Sequence, residues 1–487
     1  MSAEDFRRLS GPEVRRKAVR GVLTVAAREV VLRAFGLLGS LVLARLLTPR
    51  DFGTIAFGAT LIAFGNLIAN GGLGAQLIRE ASEPTTTELR SLQGISLAGS
   101  FGVFALVAAI AVPLGGRVGE IAMVMAASLP LSALSAPNAI IAERRMLYGP
   151  SVRADIAQTV SYNVLAIGLV LLGFGVWSLA VALVIATVVG TVTLIVAGPI
   201  GFVRPALSWE TSRRFLSFGV QFQAASVASL VRDQGLNLLA ASLGGLTVLG
   251  IWSLASRVLQ GVLFVFTSLF RVSFPAVARL VESGEDPRSS VQRALSLSTI
   301  ITGFAVVAIG GCAPALVPFA FGDRWHGVVA VLPWAAAGLV VAGPVATTAV
   351  SFLYARGEPR TVLNSVLAHS AAWYLVAVPL IPTLGAEALG IGWAVGCAVD
   401  VTVLARALAR HGIRVAPFSG PPAVAAALAG AAAWLIAAAM GPTLLGVAAS
   451  LAGGEVAYLA VMLAVRPALV ADVCRTTRRA LRPDPGT

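Results

Sequence analysis

Residues 28–53 read REVVLRAFGLLGSLVLARLLTPRDFG, two apolar segments that meet at a tight Thr-Pro-Arg-Asp turn. The apolar run between Arg33 and Arg45 has only eleven residues. At about 1.5 Å per residue, this run is too short to cross a hydrocarbon core of about 30 Å. If the segment spans a membrane, Arg28, Glu29 and Arg33 must lie in the membrane or at its edge. Charge inside a membrane is costly and usually faces a bundle interior or a watery cavity, so the stretch predicts a polar function inside a helical bundle.

The composition places the whole chain in a membrane. Of 487 residues, 57% are hydrophobic and 12% are charged, and the mean hydropathy is +0.86. Apolar runs of about twenty residues recur along the sequence, which is typical of transmembrane helices. The net charge of +13 comes from short basic clusters between the apolar runs, a pattern that indicates membrane topology and argues against nucleic-acid binding. The basic N-terminal segment lacks the features of a cleavable signal peptide.

The predicted fold is an all-α polytopic membrane protein with about fourteen spans. These lie near residues 21–47, 52–78, 91–113, 119–141, 154–173, 176–198, 214–243, 247–278, 291–313, 327–353, 361–382, 387–408, 421–441 and 443–465. With this count and a cytoplasmic N-terminus, 27 basic residues fall on the cytoplasmic side, three fall outside and six lie within spans. Cytoplasmic loops carry an excess of lysine and arginine, so both ends of the chain are predicted to be cytoplasmic.

Weak internal similarity predicts a duplication. The string LLTPRDFG at 46–53 aligns with LGGLTVLG at 243–250, and LGFGVWSL at 172–179 aligns with LGAEALGI at 384–391. Because each half has six spans, the halves share one orientation, an arrangement in which solute sites lie between the lobes. The predicted division is a basic tail (1–20), an N-lobe (21–198), a linker (199–212), a C-lobe (213–411), an additional helix pair (412–465) and a second basic tail (466–487).

The chain resembles the Wzx-type polysaccharide flippases of the multidrug/oligosaccharidyl-lipid/polysaccharide exporter superfamily, and most of all their colanic-acid-exporter branch. The resemblance covers essentially the whole chain. It is carried by loop and helix-end strings, namely LARLLTPRDFG (43–53), NGGLGAQLI (70–78), ERRMLY (143–148), FPAVAR (274–279) and VPFAFGDRW (317–325).

The resemblance implies two six-helix lobes around a central cavity that opens to one face at a time. It also implies a cargo of undecaprenyl-diphosphate-linked oligosaccharide, moved from the cytoplasmic to the outer leaflet of a bacterial inner membrane. Cationic residues of the cavity would meet the diphosphate and sugar acids, a role that passes by position to Arg28, Arg33 and Arg257. A polysaccharide polymerase or ligase is an open candidate as a partner.

The residues themselves support Arg257 best. Ser253, Arg257 and Gln260 share one helical face, and a polar face inside an apolar span points inward more often than to lipid. Arginine suits a diphosphate because its planar fork matches phosphate oxygens and keeps its charge. For the first span an alternative is open, in which Glu29 neutralises Arg33 at i, i+4 and Arg28 extends to the interface.

Acidic residues within spans are candidates for coupling or gating. They are Glu29, Asp233 next to Arg232, and Asp400. A carboxylate in a low-dielectric interior can bind and release a proton. The alternatives are a static charge pair for Arg232 and Asp233, and for Asp400 a pair with Arg406.

Amide side chains are predicted to line the cavity at four positions, Asn66, Asn70, Gln221 and Gln223. Amides both donate and accept, as sugar hydroxyls require. Hydrogen bonding between helices is the alternative role.

The sequence predicts no catalytic residue, no metal site and no cofactor. Lys17 is the only lysine, which excludes a Walker A lysine at a buried site, and Cys312, Cys397 and Cys474 are isolated. Three other functions stay open: a flippase for the peptidoglycan precursor lipid II, a cation-coupled drug exporter, and a membrane-embedded glycosyltransferase or polymerase. The excess of arginines over acids within the spans favours an anionic cargo over cationic drugs.

Overall fold

The computed structural model describes residues 35–70, 83–208, 224–282, 288–343, 345–413 and 415–468, with a few single positions besides. Every regular element in these ranges is helical. Ten helices are long and apolar enough to cross a membrane, or eleven if one bent pair forms a single span. The prediction of an all-α polytopic membrane protein is therefore confirmed, and the predicted number of fourteen spans is approximate. The chain is a multi-pass membrane protein.

The chain divides into two compact units, Met1–Ser242 and Leu243–Thr487. The predicted lobes, with a linker at 199–212, stay predictions. The first unit contains eight helices in the described residues before the start of a ninth: α1 (Phe35–Leu46), α2 (Pro49–Asn70), α3 (Thr86–Leu114), α4 (Gly116–Ala126), α5 (Ser128–Ala133), α6 (Ala136–Arg144), α7 (Tyr148–Leu171), α8 (Trp177–Ala197) and the first part of α9 (Ala224–Glu282).

The turn between α1 and α2 is held by a reciprocal helix cap. The backbone N–H and the hydroxyl of Thr48 donate to Asp51 Oδ2 at 2.9 and 2.6 Å. In return, the Asp51 N–H donates to Thr48 Oγ1 at 3.2 Å. Pro49 is the first residue of α2, a position where proline loses no helical hydrogen bond and presets φ. The Thr-Pro-Arg-Asp sequence thus ends one helix and starts the next.

The core of the first unit lies between α2, α3, α4 and α5. It consists of small and branched side chains, namely Leu61, Val103, Val107, Ala111, Ala122, Ala126 and Leu129. Next to this core, the buried amide of Gln93 on α3 donates through Nε2 to Ala133 O on α5 at 3.0 Å. After α5 the chain bends by 50° before α6 begins. One predicted span, 119–141, is therefore a bent series of helices.

The second unit contains the rest of α9 and the helices that follow. They are α10 (Arg288–Val306), a π-helical turn (Val307–Gly311), α11 (Ala313–Phe321), a 3-10 turn (Asp323–Trp325), α12 (His326–Ala342), α13 (Ala346–Ala355), α14 (Pro359–Leu384), α15 (Ala386–Arg410), α16 (Ala416–Met440) and α17 (Leu444–Val465). Helix α9 is interrupted at Gly245, whose φ of 82° and ψ of 173° are not helical.

Two clusters hold the second unit together. Helices α14 and α15 pack through Trp373 and Trp393, whose ring centroids lie 5.2 Å apart at an interplanar angle of 74°. The indole of Trp373 donates to Leu389 O at 3.0 Å, and His369 packs edge-on against both rings. The C-terminal helices α16 and α17 join α10, the π-helical turn and α12 in a second apolar cluster that includes Val307, Ala433 and Tyr458. The additional helix pair is thus part of a continuous core.

Candidate functional site

Several predicted site residues lie outside the described residues. These are Arg28, Glu29, Arg33, Gln221, Gln223 and the side chain of Asn70. Their assignments stay predictions. The candidate residues that can be placed lie on α2, α9 and α15.

A polar cluster joins α2 to the first part of α9 inside the first unit. The hydroxyl of Thr60, which is 1% exposed, donates to Gln234 Oε1 at 3.0 Å. The Asn237 amide donates to the same Oε1 at 3.1 Å and to Thr60 Oγ1 at 3.3 Å. These three side chains, the Thr60 cluster, satisfy one another within apolar helices, and such bonds between helices contribute roughly 0.6 kcal/mol each in membranes.

The pair Arg232–Asp233 lies beside the Thr60 cluster on α9. Arg232 donates through Nε to Asp233 Oδ1 at 2.7 Å and through an Nη atom to Oδ2 at 3.0 Å. The side chains are 27% and 48% exposed, so the pair is reachable by solvent or lipid. Because both residues belong to one helix, this contact by itself ties no neighbouring helix. A two-pronged contact of this kind fixes the guanidinium plane.

The predicted polar face of α9 is present in the second unit. Ser253 is half-buried and its hydroxyl donates to Gly250 O at 2.9 Å within the helix. Arg257 and Gln260, farther along the helix, are both exposed. Arg257 belongs to a candidate span, Leu230–Gly261, so its charge lies in an apolar helix. This arrangement presents a guanidinium and an amide together at the surface of the unit.

Two more predicted residues, Asn66 and Asp400, are half-buried within long helices. Asn66 lies on α2, six residues beyond Thr60, and Asp400 lies on α15 close to Cys397. Asp400 belongs to a candidate span, Ala386–Arg410, and the roles of both residues stay predictions.

Leu77, from one string that carries the resemblance, meets the end of α6, which belongs to another, within the first unit. The guanidinium of Arg144 donates to Leu77 O, and Arg145 pairs with Glu83 at 3.0 Å. These contacts connect the end of α6 to Leu77 and Glu83. Arg144 and Arg145 therefore have a structural role at the end of α6.

An apolar cavity of about 570 Å³ lies within the second unit between α10, α12 and α16. It is lined by glycine, alanine, valine and proline, with Trp434 as its one aromatic residue. None of the described residues that line it carries a charge, so this cavity is unsuited to a diphosphate or a sugar.

The sequence interpretation missed Thr60 and Glu455. Thr60 could not be singled out, because its partner Gln234 is 174 residues away along the chain. Glu455 lies inside the predicted span 443–465, and an acidic residue within an apolar span is a signal that the sequence carries openly. In the structure, Glu455 Oε2 is buried and has no hydrogen-bond partner.

Sequence comparisons with known proteins point to proteins of polysaccharide biosynthesis. A family model described as a polysaccharide biosynthesis protein matches residues 42–330. The lipopolysaccharide biosynthesis protein WzxC of Escherichia coli K12 is 24% identical over 335 residues, 66% of this chain and 66% of that protein. The succinoglycan biosynthesis transport protein ExoT of Rhizobium meliloti 1021 is 22% identical over 290 residues, 58% of each. The chain thus spans about two thirds of one relative and less of the other.

Solved structures show a related fold. The lipid II flippase MurJ in an inward closed conformation superposes with a TM-score of 0.69 at 13% identity, covering 92% of this chain and all of that one. An inward-facing multidrug resistance MATE transporter superposes with a TM-score of 0.54 at 14% identity, covering 82% and 98%. At such identities the likeness shows the fold alone.

Proposed function

Because the chain belongs to the polysaccharide biosynthesis protein family, we propose that it is a flippase for undecaprenyl-diphosphate-linked oligosaccharide. It moves repeat units from the cytoplasmic to the outer leaflet for exopolysaccharide synthesis, by alternating access and without a catalytic step. The observation that carries the proposal is the family match over 289 of 487 residues. A relative named as a succinoglycan biosynthesis transport protein supports transport as the activity.

The cargo chemistry explains the arginines in the spans. A diphosphate brings negative charge into the membrane, and guanidinium groups neutralise that charge while donating two parallel hydrogen bonds. Arg257 is the described candidate, with Gln260 beside it to hydrogen-bond sugar hydroxyls. Arg28 and Arg33 complete the proposed cationic site, and Asn66, Asn70, Gln221, Gln223 and Ser253 add its polar lining. An anionic cargo favours this set over the carboxylates that a cationic drug would need.

The proposal also assigns a location and an orientation. The charge asymmetry of 27 basic residues against three supports cytoplasmic N- and C-termini in the inner membrane of a bacterium. In that orientation the basic ends of the chain face the leaflet where the cargo is made. A polymerase or ligase that consumes the flipped unit is the proposed partner on the other side.

A lipid II flippase is the second candidate. The superposition on a protein of that activity covers 92% of the chain, and lipid II carries the same undecaprenyl diphosphate. The family match favours the polysaccharide precursor because its description names polysaccharide biosynthesis. The two candidates differ only in the sugar, so the test must offer both lipids.

The test reconstitutes the purified protein in liposomes and follows leaflet exchange of an undecaprenyl-diphosphate oligosaccharide and of lipid II. We expect wild type to exchange the oligosaccharide lipid at a higher rate than protein-free liposomes and than lipid II. Arg257→Ala should slow this exchange by roughly ten- to a hundredfold, since a hydrogen bond to a charged group contributes about 1.5–3 kcal/mol.

Arg410→Ala is the matched control, because it removes an exposed arginine from α15 of the same unit. It should exchange the lipid at the wild-type rate. Exchange of lipid II but not of the oligosaccharide lipid would refute the first proposal and support the second candidate function. Equal exchange by wild type and Arg257→Ala would leave the function standing and refute the assignment of Arg257.

A further inference from the structure

Glu455 lies at the middle of α17. It is the twelfth of 22 residues in the helix Leu444–Val465, which is about 33 Å long at about 1.5 Å per residue. A helix of this length just crosses a hydrocarbon core of about 30 Å. If α17 spans the membrane, the carboxyl group therefore lies near the midplane, where an acidic side chain is rare and is a functional candidate by default.

No cation faces this carboxyl group among the described residues. The residue as a whole is half-buried, and its Oε2 atom is buried and has no hydrogen-bond partner. Helix α16, the π-helical turn and α11, which pack against α17, contain no Asp, Glu, Lys, Arg or His in their sequences. Helix α10 also contacts α17, and its charged residues, Arg288 and Arg293, fall in its first two turns.

The titratable groups close to Glu455 are Cys312 and Tyr458. Neither is a positive charge, and the Tyr458 hydroxyl donates to Thr299 O at 3.2 Å. The described surroundings therefore offer no positive charge to compensate a carboxylate charge on Oε2. An uncompensated charge in a low-dielectric interior is far more costly than a neutral carboxylic acid.

A metal ion is a poor fit for this position. A hard cation needs several oxygen ligands at once, and the described residues contain no group of three or more His, Cys, Asp or Glu side chains that could hold one. A proton needs a single carboxylate oxygen. The geometry therefore favours a proton as the ligand of Glu455.

The backbone that packs against α17 next to Glu455 is irregular. Residues Val307–Gly311 form a π-helical turn closed by the Cys312 N–H, which donates to Val307 O at 3.1 Å. Such turns occur frequently at functional sites. Packing is close on both sides, because a Cβ on Gly454 would crowd Val307 and Ala433. Glu455 therefore adjoins, through Gly454, a tightly packed and irregular segment.

We propose that Glu455 is a proton-binding site that couples proton movement to the transport cycle. A proton from the aqueous phase adds to the carboxylate to give a neutral acid, which fits the packed state seen here. Its release leaves a charge that the apolar contacts between α17 and the π-helical turn do not tolerate, so these helices must repack or admit water. The coupling role rests on the proposed flippase function, whereas the proton site itself does not.

The first test labels the full-length wild-type protein in liposomes with dicyclohexylcarbodiimide, which reacts with protonated carboxyl groups in apolar surroundings, and maps the adduct by mass spectrometry. We expect labelling of Glu455 that falls by roughly tenfold or more from acidic to alkaline buffer. Glu387 is the internal control, since it lies in the first turn of α15 and accepts a hydrogen bond from Trp334 Nε1 at 2.9 Å. Labelling of Glu455 that is absent or independent of pH would overturn the proton site, whether or not the protein flips lipid.

The second test concerns coupling. In liposomes with an imposed pH difference, the wild-type exchange rate should change with the direction of the difference. Glu455→Gln keeps the shape of the neutral acid, and its lipid exchange rate should not depend on the direction of the pH difference. A Gln variant that still responds to the pH difference would refute the coupling role, and a wild type that exchanges no lipid would refute the proposed function while the labelling result stands.

Discussion

A methyl group added at Gly303 tests how closely α17 packs against α10. The side chain of Tyr458 is fully buried, packs edge-on against Phe304 with ring centroids 5.8 Å apart and donates to Thr299 O at 3.2 Å. A Cβ at position 303 would overlap the Tyr458 ring, so Gly303→Ala must displace that ring.

The expected cost follows from three contributions. Overpacking of a core costs about 1–3 kcal/mol, and displacement of the hydroxyl from its acceptor costs about 1 kcal/mol more. Replacing glycine by alanine in a helix returns about 0.5–1 kcal/mol. Gly303→Ala should therefore lower the free energy of unfolding by about 1–3 kcal/mol.

The assay is reversible unfolding in mixed micelles, arranged as a double-mutant cycle with Tyr458→Leu. Removal of the ring makes room for the new methyl group, so in that background Gly303→Ala should keep only the helical gain of about 0.5–1 kcal/mol, and the coupling should be about 2–4 kcal/mol. Gly168→Ala in α7 is the control, because a Cβ there meets no atom within 4 Å. An additive cycle, or equal costs at positions 303 and 168, would refute the packing argument.

Two further substitutions test the fold with the same assay. Thr60→Val removes a hydroxyl that donates to Gln234 on another helix and should cost about 0.5–1.5 kcal/mol, more than Thr193→Val, whose hydroxyl donates to Val189 O of its own helix; equal costs would contradict a stabilising role for the Thr60 cluster. Gly245→Ala has open space around it but a φ of 82°, a conformation that costs other residues about 1–3 kcal/mol. An unchanged unfolding free energy for that variant would show that the interruption of α9 needs no glycine.

Hydropathy and charge predicted the spans well where a long apolar run has polar ends. The predicted spans 176–198 and 387–408 correspond to Trp177–Ala197 and Ala386–Arg410. Apolar length alone does not encode a bend, so the 50° change of direction before α6 was not foreseen. For the same reason, the π-helical turn at Val307–Gly311 was not visible in the predicted span 291–313.

The candidate site was only partly predictable, because a sequence shows which polar residues lie in a span but not what they contact. The sequence pattern identified Arg232 and Asp233 as a charged pair. Only the structure shows that they bond to each other within one helix, and this bond limits which other groups they can bind. Nothing in the sequence distinguishes Thr60 from other threonines, because its hydrogen-bond partner Gln234 lies on α9. Glu455 differs, since an acidic residue at the centre of an apolar span stands out before any partner is known.

Buried polar atoms without a hydrogen-bond partner differ in whether their energetic cost depends on pH. Buried hydroxyls without a partner in the described residues include Ser298 and Thr348, and each costs about 1–3 kcal/mol at most. Their protonation does not change with pH, so such a cost is constant through a transport cycle. Among the buried unpartnered atoms of the described residues, Glu455 Oε2 alone belongs to an acid, and its cost depends on whether a proton is bound. The proposed flippase function needs a group whose energy changes with the ion gradient, and Glu455, which no cation faces among the described residues, has that property.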